Sequence, residues 1–261
     1  MMTRREFAST LLATPAAAAI AKGLHLIAHR GGVVDSTRPE NSPGAVQSAI
    51  DRGYWMIEVD IRQTRDGEPV LYHDRTLEKY FSETRGAEEL TWAELRKLKS
   101  NPGGKAPLHF EELCAMCGGK MRLMLDMKAQ WEAPFYQRLL RYMVDGKIPG
   151  PIWSLGGQRV YPFFDGKVMV SSNRKSLLAA AEAGEAVAER YFLFELGSDL
   201  GKESFDLARK LKVAPVAAIN TFRYTMAKRD EWEGPKEDIA KLRAMGIMHY
   251  QVDSIYEPLF V

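Results

Sequence analysis

Cysteine is nearly absent from this sequence: 261 residues carry two, Cys114 and Cys117. That excludes a disulfide framework as the source of the fold. The pair stands in FEELCAMCGGK, and its CxxC spacing raises zinc and redox chemistry. A structural zinc needs four ligands, and neither a second cysteine pair nor a nearby histidine pair completes the set. A redox pair belongs at a helix N-terminus, where the dipole lowers the thiol pKa. This one falls near the end of a helical run, just before Gly118-Gly119, so both cysteines are expected to be packed helix residues. A disulfide between them in an oxidising compartment would be no function in itself.

An excess of charge of one sign is also lacking. Thirty-six basic residues face 34 acidic ones, for a net charge of +2, and no segment is strongly basic. This argues against nucleic acid or an anionic membrane surface as the main partner. No GxGxxG or P-loop follows the first apolar run, which removes the usual support for an open nucleotide-binding sheet. There is no internal repeat and no low-complexity linker. Hydrophobic residues make up 46% and charged residues 27%, enough for a packed core, and the length suits one large domain.

The N-terminus differs from the rest. Thr3-Arg4-Arg5-Glu6-Phe7 precedes an apolar, Ala-rich, uncharged run over residues 8–21, with Ala19 and Ala21 flanking Ile20 as signal peptidase prefers. Residues 1–21 resemble a secretory signal of the twin-arginine type, which implies export to the periplasm or beyond; the alternatives are an ordinary Sec signal or a frayed N-terminal helix. The run is too short for a stable membrane anchor. Residues 22–261 then form the mature domain.

Strand-like apolar runs alternate with helical ones through that domain. The strands are expected over 24–29, 56–62, 69–73, 121–127, 167–171, 191–194, 214–219 and 247–252. Helices are expected over 43–52, 91–98, 110–117, 134–144, 175–183, 202–210 and 235–244, several of them followed by a glycine suited to a C-cap. Eight strands alternating with helices predict an α/β fold, a (β/α)8 TIM barrel with a small insertion after the third strand. Residues 149–164 do not fit the alternation.

The chemistry concentrates at strand ends. In MIEVDIR, Ile57, Val59 and Ile61 share one face while Glu58, Asp60 and Arg62 share the other. Inside a barrel, carboxylates so close repel each other, and a divalent cation relieves the repulsion; oxygen ligands favour Mg²⁺ or Ca²⁺ over zinc. The alternative is an edge strand with solvated acids. In MRLMLDMK, Asp126 and Lys128 repeat the pattern: Asp126 could supply a third metal oxygen and Lys128 could hold a phosphate, although a buried Asp–Lys pair explains them equally well. IAHRGG ends the first strand with His29, able to move protons near neutral pH, and Arg30, able to grip a phosphate. His73 ends the third. If these strands share one barrel, His29, His73, Glu58, Asp60, Asp126 and Lys128 converge on one mouth. His25, His109 and His249 lack such company and are expected to be structural or surface residues.

HRGGVVDSTRPENS followed by EVDIRQTRDGEPVLYHD resembles the glycerophosphodiester phosphodiesterase family. The elements HRG, PEN(T/S), ExD, TxDG and HD occur in order within about 45 residues, as His29-Arg30-Gly31, Pro39-Glu40-Asn41-Ser42, Glu58 with Asp60, Thr64 with Asp66-Gly67, and His73-Asp74. The resemblance implies a barrel, a divalent metal and two catalytic histidines. It departs at Asp126, where the family often has Glu; the Asp-x-Lys arrangement is similar to the related spider-toxin phospholipases. Ala217 stands where the family often has Trp, and of the pattern in the last strand only Asp253 survives. The implied activity is metal-dependent hydrolysis of a small-molecule phosphodiester, giving sn-glycerol 3-phosphate and an alcohol. In it Glu58, Asp60 and Asp126 hold the metal, Arg30 and Lys128 the phosphate, and His29 and His73 share acid and base work. Glu40 and Asn41 are expected to brace the first loop. The alternatives are a phospholipase D-like activity on lysophospholipids or sphingolipids, which needs an apolar groove at the mouth, and a non-catalytic periplasmic barrel that binds a phosphorylated ligand.

Overall fold

The computed structural model describes residues 22–156, 159–164, 166–196 and 200–260. The leader expected over residues 1–21 lies outside the described residues. Nine strands form one sheet: β1 His25–Ala28, β2 Met56–Gln63, β3 Pro69–Leu71, β4 Arg122–Met127, β5 Trp153–Ser154, β6 Met169–Ser172, β7 Tyr191–Leu196, β8 Pro215–Ile219 and β9 His249–Val252. All but β3 run parallel. β1 pairs with β9 on one side, His25 opposite His249, and with β2 on the other, Ile27 opposite Met56, so the sheet closes into an eight-stranded parallel barrel.

Among the described residues six helices of eight residues or more surround it: α1 Pro43–Arg52, α2 Phe110–Cys117, α3 Ala133–Asp145, α4 Arg174–Glu182, α5 Lys202–Leu211 and α6 Glu233–Met245. After β5 the chain makes a 3₁₀ turn, Tyr161–Phe164, in the place of a long helix. α1 shows why these sequences start and stop where they do. Pro43 presets the first turn, the Ser42 hydroxyl accepts the Ala45 N–H at 3.2 Å, and Gly53 ends the helix in the left-handed region at φ 75°. Alternate strand residues such as Leu26, Ile57, Val59, Leu123 and Leu125 pack outward against helix residues such as Val46, Leu113 and Leu139. The opposite faces contribute Ile27, Met56, Met124, Trp153, Phe192 and Val216 to a second core inside the barrel. Each such burial stabilises the fold by roughly 1.5–3 kcal/mol before entropy is charged against it. Cys114 and Cys117 are free and buried on α2, and burial pushes the Cys117 thiol up to about 12, so both are inert packing residues as expected.

Two strand assignments change. The run expected to be the third barrel strand is β3, which runs antiparallel to β2 with Leu71 opposite Ile61. Five residues, 64–68, separate the two strands, whereas a parallel crossover needs about a dozen or more. The turn is closed by Thr64, whose hydroxyl donates to Asp66 Oδ1 at 2.6 Å, and by Gly67 at φ 85°. The missing barrel strand is β5, two residues long, inside the stretch that resisted placement; its shortness left no readable alternation. β3 opens the expected insertion, whose own small core gathers Val70, Tyr72, Leu77, Leu90 and Leu95. Arg62 fastens the insertion to the mouth, donating to Glu88 Oε1 at 2.8 Å and to the His73 carbonyl at 3.0 Å.

The floor of the barrel, at the strand N-terminal ends, is a ring cluster. His25 Nδ1 lies 2.9 Å from His249 Nε2, with Trp55 stacked on His25 and Trp153 tilted against His249. Burial, then the neighbouring imidazole, lowers His249 to about 4. His109 caps α2 by accepting the Glu111 N–H at 3.2 Å. These three histidines have the structural settings expected of them.

Candidate active site

The C-terminal end of β1 builds the site first. His29-Arg30-Gly31 form a 3₁₀ turn in which Arg30 takes φ 52°. That conformation is uncommon for a side-chain-bearing residue; here it turns the Arg30 N–H onto Glu58 Oε2 at 2.7 Å. Gly31 and Gly32 let α1 approach: a Cβ on Gly31 would lie 2.6 Å from Asn41 Cα, and one on Gly32 2.2 Å from the Ala45 carbonyl oxygen. The close approach delivers Asn41, itself at φ 56°, whose amide donates to Asp60 Oδ2 at 2.6 Å and accepts the Asp60 N–H at 3.2 Å. Asn41 thus braces a carboxylate, and Glu40 braces Arg30, as the sequence suggested for the first loop.

Glu58 and Asp60 project from β2, and Asp126 stands opposite Asp60 on β4 in the parallel register. Oxygens of the three carboxylates lie within 4.8 Å of one another. Burial, then the charges of Asp60 and Asp126, raise Glu58 well above the usual carboxylate range. Burial alone would do the same to Asp60, but Lys128, His73 and Asn41 outweigh it and lower its pKa. Lys128 Nζ lies 2.7 Å from both Asp60 Oδ1 and Asp126 Oδ2. Those two carboxylates outweigh its burial and hold it firmly cationic. Three hard oxygen donors, two of them buried, on carboxylates close enough to repel one another, are the donor set a hard divalent cation takes.

Two imidazoles flank the carboxylates. His29 Nδ1 lies 2.5 Å from Asp253 Oδ1, and His29 Nε2 lies 4.0 Å from Glu58 Oε2. Asp253 also accepts the Thr221 N–H at 2.6 Å and the Thr221 hydroxyl at 2.8 Å. Burial would raise Asp253, but the bonds and charge from His29, with those from Thr221, depress it. His73 follows β3 into the insertion, and it still reaches the mouth. Its Nε2 lies 3.1 Å from the Arg30 guanidinium, which can only donate, so Nε2 accepts and Nδ1–H donates to Asp74 Oδ1 at 2.8 Å. Arg30 also donates to Glu40 Oε2 at 3.0 Å, while its buried Nε–H has no hydrogen-bond partner among the described residues. Beside His29, Arg30 and Asp253 opens a cavity of about 230 Å³.

All seven expected site residues therefore meet: His29, His73, Arg30, Lys128, Glu58, Asp60 and Asp126. Asp253 and Asp74, the carboxylates that orient the two rings, are functional residues to which the sequence patterns assign no role. Asp253 had a usable signal, because His249, Gln251 and Asp253 alternate onto one face of β9 just as Glu58 and Asp60 do on β2. Asp74 had only its adjacency to His73.

Residues 29–221 match the model of the Glycerophosphoryl diester phosphodiesterase family. A "Probable glycerophosphodiester phosphodiesterase 2" of Mycobacterium tuberculosis is 37% identical over 103 residues, which is 40% of this chain and 38% of that protein. The human "Glycerophosphodiester phosphodiesterase 1" is 43% identical over 111 residues, 39% of this chain and 33% of that one. The match thus spans well under half the length of these relatives. Among solved structures, a glycerophosphoryl diester phosphodiesterase from Parabacteroides distasonis superposes with a TM-score of 0.70 at 20% identity, covering 91% of this chain and 84% of that chain. A phosphodiesterase from Oleispira antarctica, in complex with the product sn-glycerol-3-phosphate, superposes with a TM-score of 0.53 at 17% identity, covering 92% of this chain and 97% of that one. At such identities the likeness is one of fold.

Proposed function

The chain belongs to the glycerophosphoryl diester phosphodiesterase family, and from that premise we propose that it hydrolyses glycerophosphodiesters to sn-glycerol 3-phosphate and an alcohol, with a divalent cation held by Glu58, Asp60 and Asp126. The observation that carries this reading is the pairing of two carboxylate-oriented imidazoles around one acidic pocket. A cation bound there supplies Lewis-acid charge to the non-bridging phosphate oxygens.

The protein's own groups do the rest. Arg30 has a buried Nε–H with no hydrogen-bond partner among the described residues, and the Lys128 ammonium donates to Asp126 and lies 2.7 Å from Asp60 Oδ1 with donor capacity to spare; both are placed to hold phosphate oxygens. Asp253 fixes the His29 tautomer with Nδ1–H, leaving Nε2 to face the carboxylates. Asp74 does the same for His73. General acid and base work is divided between these two rings: His29 Nε2 faces the carboxylates, and His73 Nε2 exchanges a proton with the substrate once the Arg30 guanidinium it accepts from turns to the phosphate. Asn41 and Glu40 keep Asp60 and Arg30 in place.

The test is a panel of glycerophosphodiesters assayed with Mg²⁺, Ca²⁺ and Mn²⁺ in turn and with chelator. Release of sn-glycerol 3-phosphate that chelator abolishes is the expected result. Tight binding of a diester without turnover under any metal would instead identify a non-catalytic phospho-ligand receptor. The paired arginines and the apolar run of residues 1–21 support export of the enzyme as part of the same proposal. Fractionation of cells expressing the chain with Arg4→Lys and Arg5→Lys together tests it: retention in the cytoplasm is expected, and unchanged distribution would exclude the twin-arginine route. Among the described residues no helix is long and apolar enough to cross a membrane.

A further inference from the structure

The cavity beside the His29–Asp253 pair has both polar and apolar lining. Val34, Phe222 and Ile255 supply the apolar part, with Thr221 and Ser254 among the polar residues beside them. Phe222 is 41% exposed and Ile255 58% exposed, so neither is committed to the core. Both stand on the short segments that follow β8 and β9, at the same end of the barrel as the catalytic rings. Large apolar side chains left at the rim of a charged pocket offer binding energy that only an apolar group can recover. The opposite side of the mouth differs. β5 and β6 stand across the barrel from β9 and β1, and the hollow at their ends, about 500 Å³, is lined mainly by polar residues, among them Arg159, Ser171, Asn173 and Ser176, together with Leu155 and Phe194.

We propose, resting on the diesterase reading above, that the enzyme selects diesters whose second alcohol is a linear hydrocarbon chain. The chain lies against Val34, Phe222 and Ile255, and the hydroxylated glycerol arm lies toward the polar hollow. Phe222 and Ile255 are then specificity-determining residues. The cavity volume sets a limit: the gain with chain length ends once about 230 Å³ is filled. The interaction is present before the reaction begins, so it acts on KM more than on kcat.

The experiment is a series of glycerophospho-n-alkanols from ethyl to octyl, assayed as monomers below their critical micelle concentrations and, separately, as micelles. In the unmodified enzyme kcat/KM is expected to climb by up to about fourfold per methylene and then level off. Phe222→Ser and Ile255→Ser are expected to flatten the climb, and Phe222→Leu to restore most of it. Cleavage of every member with no dependence on chain length, or a slope in both serine variants as steep as that of the unmodified enzyme, overturns the proposal and leaves the diesterase reading standing. Dependence seen only with micelles also overturns it, pointing to a surface rather than a chain. If no member is cleaved, the diesterase reading fails by itself, and calorimetric affinities of the same series in the presence of Mg²⁺ decide the subsite. A Kd that falls with length, with an increasingly negative heat-capacity change, supports it; a Kd independent of length refutes it.

Discussion

Nδ1 of His29 lies 2.5 Å from Oδ1 of Asp253, two residues 224 positions apart that the closing pair β1–β9 brings side by side. The contact makes His29 a ring of defined tautomer and gives any imidazolium formed there an adjacent counter-charge.

Asp253→Asn removes the charge and keeps the shape. It is expected to lower kcat by on the order of 100-fold or more with little change in KM, because the wrong tautomer is then favoured. His29→Ala and His73→Ala should each cost a comparable factor through loss of a general acid or base. Steady-state kinetics check all three, and a near-normal kcat in Asp253→Asn would remove its positioning role.

Glu58→Gln separates metal binding from folding. Without a cation, burial and two neighbouring carboxylates already favour a protonated Glu58, so the amide should leave the melting temperature in chelator unchanged or higher. The stabilisation that saturating Mg²⁺ confers on the unmodified protein should disappear. Thermal melts with and without Mg²⁺ read both effects, and an undiminished Mg²⁺ shift would take Glu58 out of the ligand set.

Acid should loosen the barrel floor. His249 titrates near 4 in the folded protein, against about 6.5 when unfolded. Above 6.5 neither state holds the proton and stability is unaffected. As pH falls below 6.5 the unfolded chain takes up a proton that the folded one refuses, so stability declines until about pH 4, by a total of about 3 kcal/mol. Urea midpoints between pH 7 and 4 should show the loss, and His249→Gln should flatten it; an identical pH slope in that variant would refute the assignment.

Gly32→Ala is expected to cost several kcal/mol and most of the activity. Its φ of 132° and the Ala45 carbonyl oxygen 2.2 Å from the added Cβ leave no room without moving α1 and, with it, the loop that carries Asn41. Gly104, also at positive φ but with nothing within 4 Å, is the control: Gly104→Ala should cost no more than about 1–2 kcal/mol. Denaturant unfolding distinguishes the two.

Local patterns were sufficient for much of this protein. Period-two alternation placed Glu58 and Asp60 on one face, helix caps bounded Pro43–Arg52 and Phe110–Cys117 at their observed limits, and clustered strand-end chemistry marked the mouth. These features are written in neighbouring residues, so the amino-acid order alone determines them. Barrel closure is not local. β5, with two residues, has too little sequence to show a period and exists because β4 and β6 leave a gap of one strand to fill. β3 shares the composition of a barrel strand and is antiparallel because its connection is too short to cross over. Only the tertiary structure could join His29 to Asp253, set the Lys128 ammonium between two carboxylates, and bring Phe222 and Ile255 to the edge of the same cavity. Each of those relations spans strands that meet around the barrel, and the free energy that brings them together is the burial of the whole core rather than any preference of the residues themselves.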